Sequence, residues 1–482
     1  MTKLLKIKCL AGRLIVVALF FSFFISCTGP QRKKDDPLAG ATREDKNGWI
    51  YIHVEGSPHT IGYQHGYLLA NEIDTLLQTM DYFLLHDTKK NWQFYRQSAQ
   101  SFMWPKLDRE YKDEINGIVD GLHAKQKKYD SLDITALNAW LELAYYYAPQ
   151  LADKEVPGSG DNKAPGNCSA FIATGSYTSD GKIVIGHNAW TGYMVGQHWN
   201  IVADIVPEKG NHMLMDCMPG LIHSGDDFVI TNNGLLITET TITQFKGFDT
   251  TGTPEFMRAR KAAQYGNSID DVVRIFTENN NGGYANDWLI GDTKTNEVAR
   301  LELGLKNTRV WRSKDTAIIG SNFASDPTLL KEETTFSTTD STTSPNARKK
   351  RMEQLVCIDL KGKINVETGK QIEADHYDAL QKCSANNRCV ICGHIDEDKN
   401  GCPEFGCAPY YPMGSVQGKV TTTDLAKDMK FWAHMGHPCG KDFIGADFYK
   451  AHPEYAWQSK FLNDVKSYSW TLFEAKDAGQ SK

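Results

Sequence analysis

The chain has 482 residues, of which 41% are hydrophobic and 11% aromatic, enough for one large globule in two parts or for two to three domains. Its net charge is −6, and its lysines are scattered among acids rather than gathered in a stripe. That balance gives no footing for a nucleic-acid partner.

The first segment reads as an address rather than as fold. Lys3, Lys6, Lys8 and Arg13 precede an apolar run from Leu14 to Ile25, followed by Ser26-Cys27. A basic start, a short apolar stretch and a small residue before the cut make a secretory signal. The run is too short for a comfortable membrane-spanning helix. Phe24-Ile25-Ser26-Cys27 resembles a bacterial lipoprotein cleavage box, which would put a lipid on Cys27. Residues 28–46 are polar and read as a tether. The expectation is an exported cell-envelope lipoprotein, facing the periplasm or the outer surface and held to the membrane by its lipid.

From Gly48 to Gln150 the pattern is mainly helical. Gly62-Tyr63-Gln64-His65-Gly66 opens a helix that continues through Leu68, Leu69, Ile73, Leu76 and Leu77. Leu107, Tyr111, Ile115, Ile118 and Leu122 recur at three- and four-residue spacing, one face of a second helix. Asp133 reads as the N-cap of a third, with Leu137, Trp140, Leu141 and Ala144 facing inward. Leu151 to Gly166 is rich in Gly, Pro and charge, and reads as an exposed, cuttable linker.

After the linker the pattern turns to β. Cys168 to Ala173, the turn Ser179-Asp180-Gly181, and Lys182 to Ile185 read as strand, turn, strand. Ile201 to Val206 reads as a half-buried strand. Phe228 to Thr231 and Leu235 to Thr238 flank Asn232-Asn233-Gly234, a hairpin with a strong turn signal. A helix is expected over Pro254 to Phe276. A second hairpin pairs Trp288 to Asp292 with Val298 to Leu303. Thr334 to Ser344 is a Ser/Thr-rich surface loop. The order of elements suggests antiparallel sheet covered by helices. No internal repeat is visible.

A cysteine that opens a strand just after a cuttable loop can carry its own base. Cleavage between Asn167 and Cys168 would free an α-amine with a pKa near ~8, close enough to neutral to take the thiol proton. Thr paired with its own N-terminal amine is a known activated nucleophile, and Cys can use the same arrangement. A thiol beside a carbonyl in a tight Gly166-Asn167 turn could also attack that peptide bond itself.

Asn167-Cys168-Ser169-Ala170-Phe171, Asp180-Gly181-Lys182 and Gly186-His187-Asn188-Ala189-Trp190 together resemble the N-terminal nucleophile (Ntn) hydrolases. The similarity is to the phospholipase B-like proteins and the related C45-type acyltransferase/amidase group. Pro219 to Phe228, Gly234 to Ile242, Tyr284-Ala285-Asn286-Asp287-Trp288, Gly418 to Thr422 and Gly56-Ser57-Pro58 carry the same likeness, which runs from about Gly48 to Cys439. The resemblance implies an α+β fold: an αββα sandwich of antiparallel sheets, preceded by a helical N-terminal segment over residues 47–150. It also implies autocatalytic cleavage before Cys168 and hydrolysis of a linear amide or ester, with the two fragments staying together.

The resemblance assigns roles residue by residue. Cys168 is the nucleophile, and Asn286 and Thr241 stabilise the oxyanion of a tetrahedral intermediate. His187 stands where bile-salt-hydrolase relatives carry arginine, and Trp190 where they carry aspartate. Histidine at that place is similar to the phospholipase B-like branch and could orient the amine or polarise the thiol. Asn188 and Trp190 are expected to support substrate or site, as is Arg351, which resembles a late arginine of the family. Asp226, Asp227 and Glu239 read as makers of structural hydrogen bonds. No metal or organic cofactor is needed. The substrate is expected to be a small acyl amide, with a phospholipid or lysophospholipid ester as the second reading. A non-catalytic binding lipoprotein of the same fold is the third.

Of 11 cysteines, eight remain once Cys9, Cys27 and Cys168 are set aside. In an exported chain eight cysteines suit up to four disulfides. Cys389-Val390-Ile391-Cys392-Gly393-His394, with Cys402 and Cys407, has spacing that could ligate zinc. Export favours disulfides bracing a loop-rich insertion over about 383–407.

Overall fold

The computed structural model describes residues 36–155, 168–225 and 227–476. The signal with Cys27, the Asn167 side of the cleavage site, and Asp226 lie outside the described residues. Among the described residues two sheets pack face to face, with helices on both outer faces. No helix among them is long and apolar enough to cross a membrane.

One sheet has nine strands. Edge to edge these are Thr42–Lys46, Trp49–Gly56, Ile201–Pro207, Met213–Cys217 and Phe228–Thr231, then Leu235–Thr241, Asn286–Asp292, Glu297–Leu303 and Thr308–Ser313. The other has six: Thr316–Gly320, Cys168–Thr174, Val184–Gly192, Met413–Thr422, Lys430–Met435 and Thr471–Glu474. All pairings are antiparallel except that of Trp49–Gly56 with Ile201–Pro207, which is parallel. The expectation of purely antiparallel sheets is corrected at that one place. A parallel neighbour needs a long crossover, and here the whole N-terminal helical region supplies it.

Period-two alternation sorts the side chains into layers. Ala170, Ile172, Ile185, Leu214, Phe228, Leu236 and Leu289 meet between the sheets. Phe171, Ala173, Val184 and Val420 face the other way, against Met352, Val356 and Ile372. The larger core lies on the far side of the nine-stranded sheet, beneath the N-terminal helices. The layering is therefore αββα.

Local rules explain most elements. Ser57 caps the Pro58–Leu68 helix by accepting from the Thr60 amide, with Pro58 in the first turn. The Arg109–Ala124 helix buries Tyr111, Ile115, Ile118 and Leu122, the expected face. Asn233-Gly234 turns the Phe228–Thr231 and Leu235–Thr241 hairpin, and Gly234 has φ +88°.

Four boundaries differ from expectation. Thr42–Lys46 pairs with Trp49–Gly56 as an edge strand rather than ending a tether, because its backbone groups find partners there. The cap of the third helix is Asp130; Asp133 sits three residues on and closes a capping box with it. The expected helix over Pro254 to Phe276 breaks at Gly266-Asn267-Ser268. Ser268 caps a second helix, Ile269–Thr277, after the first, Glu255–Tyr265. The Ala148–Glu155 helix also runs into the segment read as linker.

The helical region is not a separate unit. Its strands join the larger sheet, and Arg260 reaches buried Glu114 through two 2.9 Å hydrogen bonds. The Pro58–Leu68 and Arg109–Ala124 helices touch backbone to backbone through glycines. A Cβ on Gly62 would lie 1.9 Å from the Glu114 carbonyl oxygen, and one on Gly66 2.1 Å from that of Ile118. Gly66→Ala is expected to destabilise the protein by more than about 1–3 kcal/mol, the usual cost of overpacking, because the obstacle is backbone. Thermal unfolding of the variant beside wild type reads this directly.

Candidate active site

Cys168 opens the Cys168–Thr174 strand at one end of the sandwich and is buried, 2% exposed. The register pairs Cys168 with Ala189 and Ala170 with His187 on the next strand. On the following strand Lys419 stands opposite His187. By alternation Cys168, His187 and Lys419 all point between the sheets, where Asp216 rises from the facing sheet.

Atoms of Cys168, His187, Asp227 and Glu239 lie within 4.8 Å of one another, and all four residues are buried. His187 Nε2 is 4.0 Å from Asp227 Oδ1. Lys419 Nζ donates to Asp216 Oδ2 at 2.9 Å and to Asp227 Oδ2 at 3.4 Å. The positive charge among these acids is thus supplied by the chain itself. Asp227 and Glu239, expected to make structural hydrogen bonds, accept from Lys419 and from Tyr284 and also lie beside Cys168.

Burial decides the charges. It pushes the Cys168 thiol well above the ordinary cysteine range, and the Asp227 and Glu239 carboxylates push it further. Burial, with Lys419 nearby, holds His187 well below the usual imidazole range, so the ring is neutral. Burial also opposes the Lys419 ammonium, but Asp216 and Asp227 outweigh it and keep the side chain charged. At neutral pH the site holds a protonated thiol beside a neutral imidazole, and both shifts oppose moving the proton from the sulfur to the ring.

The backbone of Cys168 is held separately. Cys168 N donates to Asn322 Oδ1 at 3.2 Å, and Asn322 Nδ2 donates to Thr241 O at 3.1 Å. Arg348, fully buried, donates to Cys168 O at 2.5 Å, Ser169 Oγ at 2.8 Å and Asn322 Oδ1 at 2.7 Å. Its guanidinium also lies over the Trp190 ring, 4.2 Å from the centroid. Burial draws the Arg348 pKa down to about 10, which still leaves it charged at neutral pH.

Asn286 and Thr241 face each other across paired strands. Thr241 Oγ1 donates to Tyr284 Oη at 3.4 Å, and that hydroxyl donates to Glu239 Oε1 at 3.2 Å. Among the described residues neither amide atom of buried Asn286 has a partner. An orphaned buried amide is costly, and its Nδ2 is free to donate to an incoming acceptor. Trp140, Leu141, Trp190, Trp199 and Tyr284 wall a small, largely apolar cavity onto which Cys168 and Asp227 open.

Two expected residues stand elsewhere. Asn188 points away from the cavity, donating to Glu373 O at 2.8 Å and Ile391 O at 3.2 Å, so it braces the outer layer. Arg351 forms an ion pair with Asp375 at 2.5 Å and stacks on Tyr377. The arginine beside Cys168 is Arg348, three residues earlier and fully buried where Arg351 is only partly so. Arg348, Asn322 and Lys419 were not singled out from the sequence. Lys419 left a signal: a lysine in a strand whose other positions are almost all buried.

The phospholipase B family model matches residues 57–313, just over half of the chain. The chain belongs to the phospholipase B family. The match is shorter than the expected span of likeness and leaves Asn322, Arg348 and Lys419 beyond it. An uncharacterized protein of Archaeoglobus fulgidus is 24% identical over 263 residues, covering 52% of this chain and 42% of that one. Putative phospholipase B-like 2 of Bos taurus is 26% identical over 317 residues, covering 56% of this chain and 53% of that one. The chain thus spans about half the length of the curated relatives it matches. Among solved structures, the conjugated bile acid hydrolase of Clostridium perfringens aligns over 65% of this chain and all of its own. That alignment has 8% identity and a TM-score of 0.32.

Arg348 and Arg351 make a matched test within this family member. Arg348→Ala strips a donor from three buried acceptors and should cost about 1–3 kcal/mol for each one left unsatisfied. Arg351→Ala breaks a partly exposed pair and should cost about 1 kcal/mol or less. Denaturant midpoints of the two variants beside wild type check the contrast.

Proposed function

We propose that the protein is a self-processing cysteine hydrolase that cleaves a linear N-acyl amide through a thioester. The observation that carries this reading is the double hold on Cys168. Its backbone nitrogen sits on Asn322 Oδ1 while its sulfur lies among His187, Asp227 and Glu239. Membership of the phospholipase B family supports a hydrolase; the bond it cleaves is our inference.

In the precursor the sulfur attacks the Asn167 carbonyl carbon as the thiol proton passes to the Cys168 nitrogen. The peptide C–N bond breaks as the Cys168 nitrogen is protonated, leaving a thioester that water hydrolyses. The freed α-amine, held by Asn322, then serves as base for the same sulfur. It takes the thiol proton, the sulfur attacks the acyl carbon, and Asn286 Nδ2 with Thr241 stabilises the oxyanion. The amine returns its proton to the leaving nitrogen, and water releases the acid. Trp140, Trp190 and Trp199 wall a cavity of about 10 Å³, room for one water, so an apolar acyl group would enter only by parting these rings.

An ester of a phospholipid or lysophospholipid is the second reading, favoured by the family and by the expected lipid anchor at Cys27. Hydrolysis rates of an amide and an ester carrying the same acyl chain separate the two. A non-catalytic binding lipoprotein of the same fold is the third.

Intact-mass and N-terminal analysis of the purified protein, beside Cys168→Ala, is the deciding experiment. A fragment beginning at Cys168 in wild type and absent in the variant is expected. A full-length chain in both would remove the amine base and leave the binding protein as the better reading. In matured enzyme, Asn286→Ala is expected to lower kcat by about 10²–10³ with a smaller change in KM, the signature of a lost oxyanion donor, read by steady-state kinetics.

A further inference from the structure

A second cluster of reactive side chains lies outside the nucleophile site. His376, Cys392, His394 and Cys439 place one ligand atom each within 4.8 Å of all the others. They come from three separate stretches: the segment after the Val366–Glu373 helix, the cysteine-rich insertion, and the turn after the Lys430–Met435 strand. We propose that these four residues form a structural zinc site of the two-cysteine, two-histidine type.

The geometry fits the ion. Zinc bonds of about 2.3 Å to sulfur and 2.0–2.1 Å to nitrogen, set tetrahedrally, put sulfur and nitrogen roughly 3.5 Å apart. Cys439 Sγ lies 3.7 Å from His394 Nε2. Cys392 and His394 are buried, and His376 and Cys439 are partly so. Two thiolates would balance the charge of the ion, binding with release of two protons, so the buried site would stay neutral.

The outer partners fit as well. His376 Nδ1 lies 2.7 Å from Asn386 Oδ1, which accepts the ring N–H and leaves the Nε2 lone pair for a metal. Among the described residues that Nε2 has no hydrogen-bond partner. His394 Nδ1 is 3.7 Å from the Glu397 carboxylate, and Glu397 is itself held by Asn386 and Lys441. A hydrogen-bonded polar group behind the ring is the usual way a histidine is aimed at zinc, and His376 has one, while among the described residues His394 Nδ1 makes no hydrogen bond and has Glu397 only at ion-pair distance. Gly393 and Gly440, each following a ligand cysteine, have φ of +68° and +90°, so the chain turns sharply at both sulfurs.

The ligand set is not the one its sequence spacing suggested. Cys389, Cys402 and Cys407 drop out; His376 and Cys439, 16 and 47 residues from Cys392 in the numbering, come in. Up to four disulfides were expected, and none joins cysteines among the described residues. Cys217 is locked in the main core and Cys383 is exposed, so neither meets a partner. A Cys392–Cys439 disulfide is the one direct rival to the metal, since those sulfurs are already neighbours.

The ion would act on the wall of the cavity. A Cβ on Gly393 would fall 2.1 Å from the Trp190 ring, and Ile391 O accepts from Trp190 Nε1 at 3.1 Å. Zinc would tie this loop to the turn at Cys439 and hold Trp190 in place, whatever reaction Cys168 performs.

The test uses the full chain purified without chelator. Elemental analysis should find about one zinc per chain, lost in Cys439→Ser and in His394→Ala but kept in Cys383→Ser. Cobalt loaded in place of zinc should give the intense visible absorption of a tetrahedral thiolate site, which does not depend on variants folding. Metal-free protein whose unreduced digest contains a Cys392–Cys439 linked peptide would overturn the proposal. So would zinc retained in Cys392→Ser/Cys439→Ser.

Discussion

A buried arginine organises the backbone around Cys168. Arg348 enters from the outer helical layer and meets the Cys168 carbonyl, the Ser169 hydroxyl and the Asn322 amide oxygen together. A charge that deep is tolerable only when its hydrogen bonds are made, so the three acceptors have little freedom to move. The start of the Cys168–Thr174 strand is therefore held by a group that never touches the sulfur. Asn322, with φ +69°, is bent back by the same contact to face the Cys168 nitrogen and the Thr241 carbonyl.

Between the sheets a different balance operates. Asp216, Asp227 and Glu239 bring negative charge into a space from which water is largely excluded, and Lys419 offsets it. The result is a neutral imidazole and a protonated thiol within reach of each other. That is a resting state: the sulfur gains nucleophilicity only when a base takes its proton. A free amine at Cys168 would supply such a base without any change in the surrounding charges, which is why position in the chain matters as much as residue type.

The two sides of the expected cleavage point are knitted together independently of the peptide that joins them. Trp49–Gly56 pairs with Ile201–Pro207 along the larger sheet, the glycine-to-backbone helix pair packs beneath it, and Arg260 clasps Glu114. Cutting the chain before Cys168 would remove one covalent link and leave these contacts in place.

Much of this was legible in the sequence because it rests on local rules. The periodic faces of the helices, the Asn233-Gly234 hairpin and the strand that begins at Cys168 follow from side-chain spacing and turn chemistry over a few residues. So did the likeness that named Cys168, His187, Thr241 and Asn286. The αββα layering came from that likeness rather than from spacing. What the sequence could not decide was which distant residues meet. Arg348 rather than Arg351, Asn322 under the nucleophile, Lys419 among the acids, and the pairing of His376 and Cys439 with Cys392 and His394 all depend on sheet register and helix docking. Those are set by burial summed over the whole core, and no short stretch of chain carries that sum.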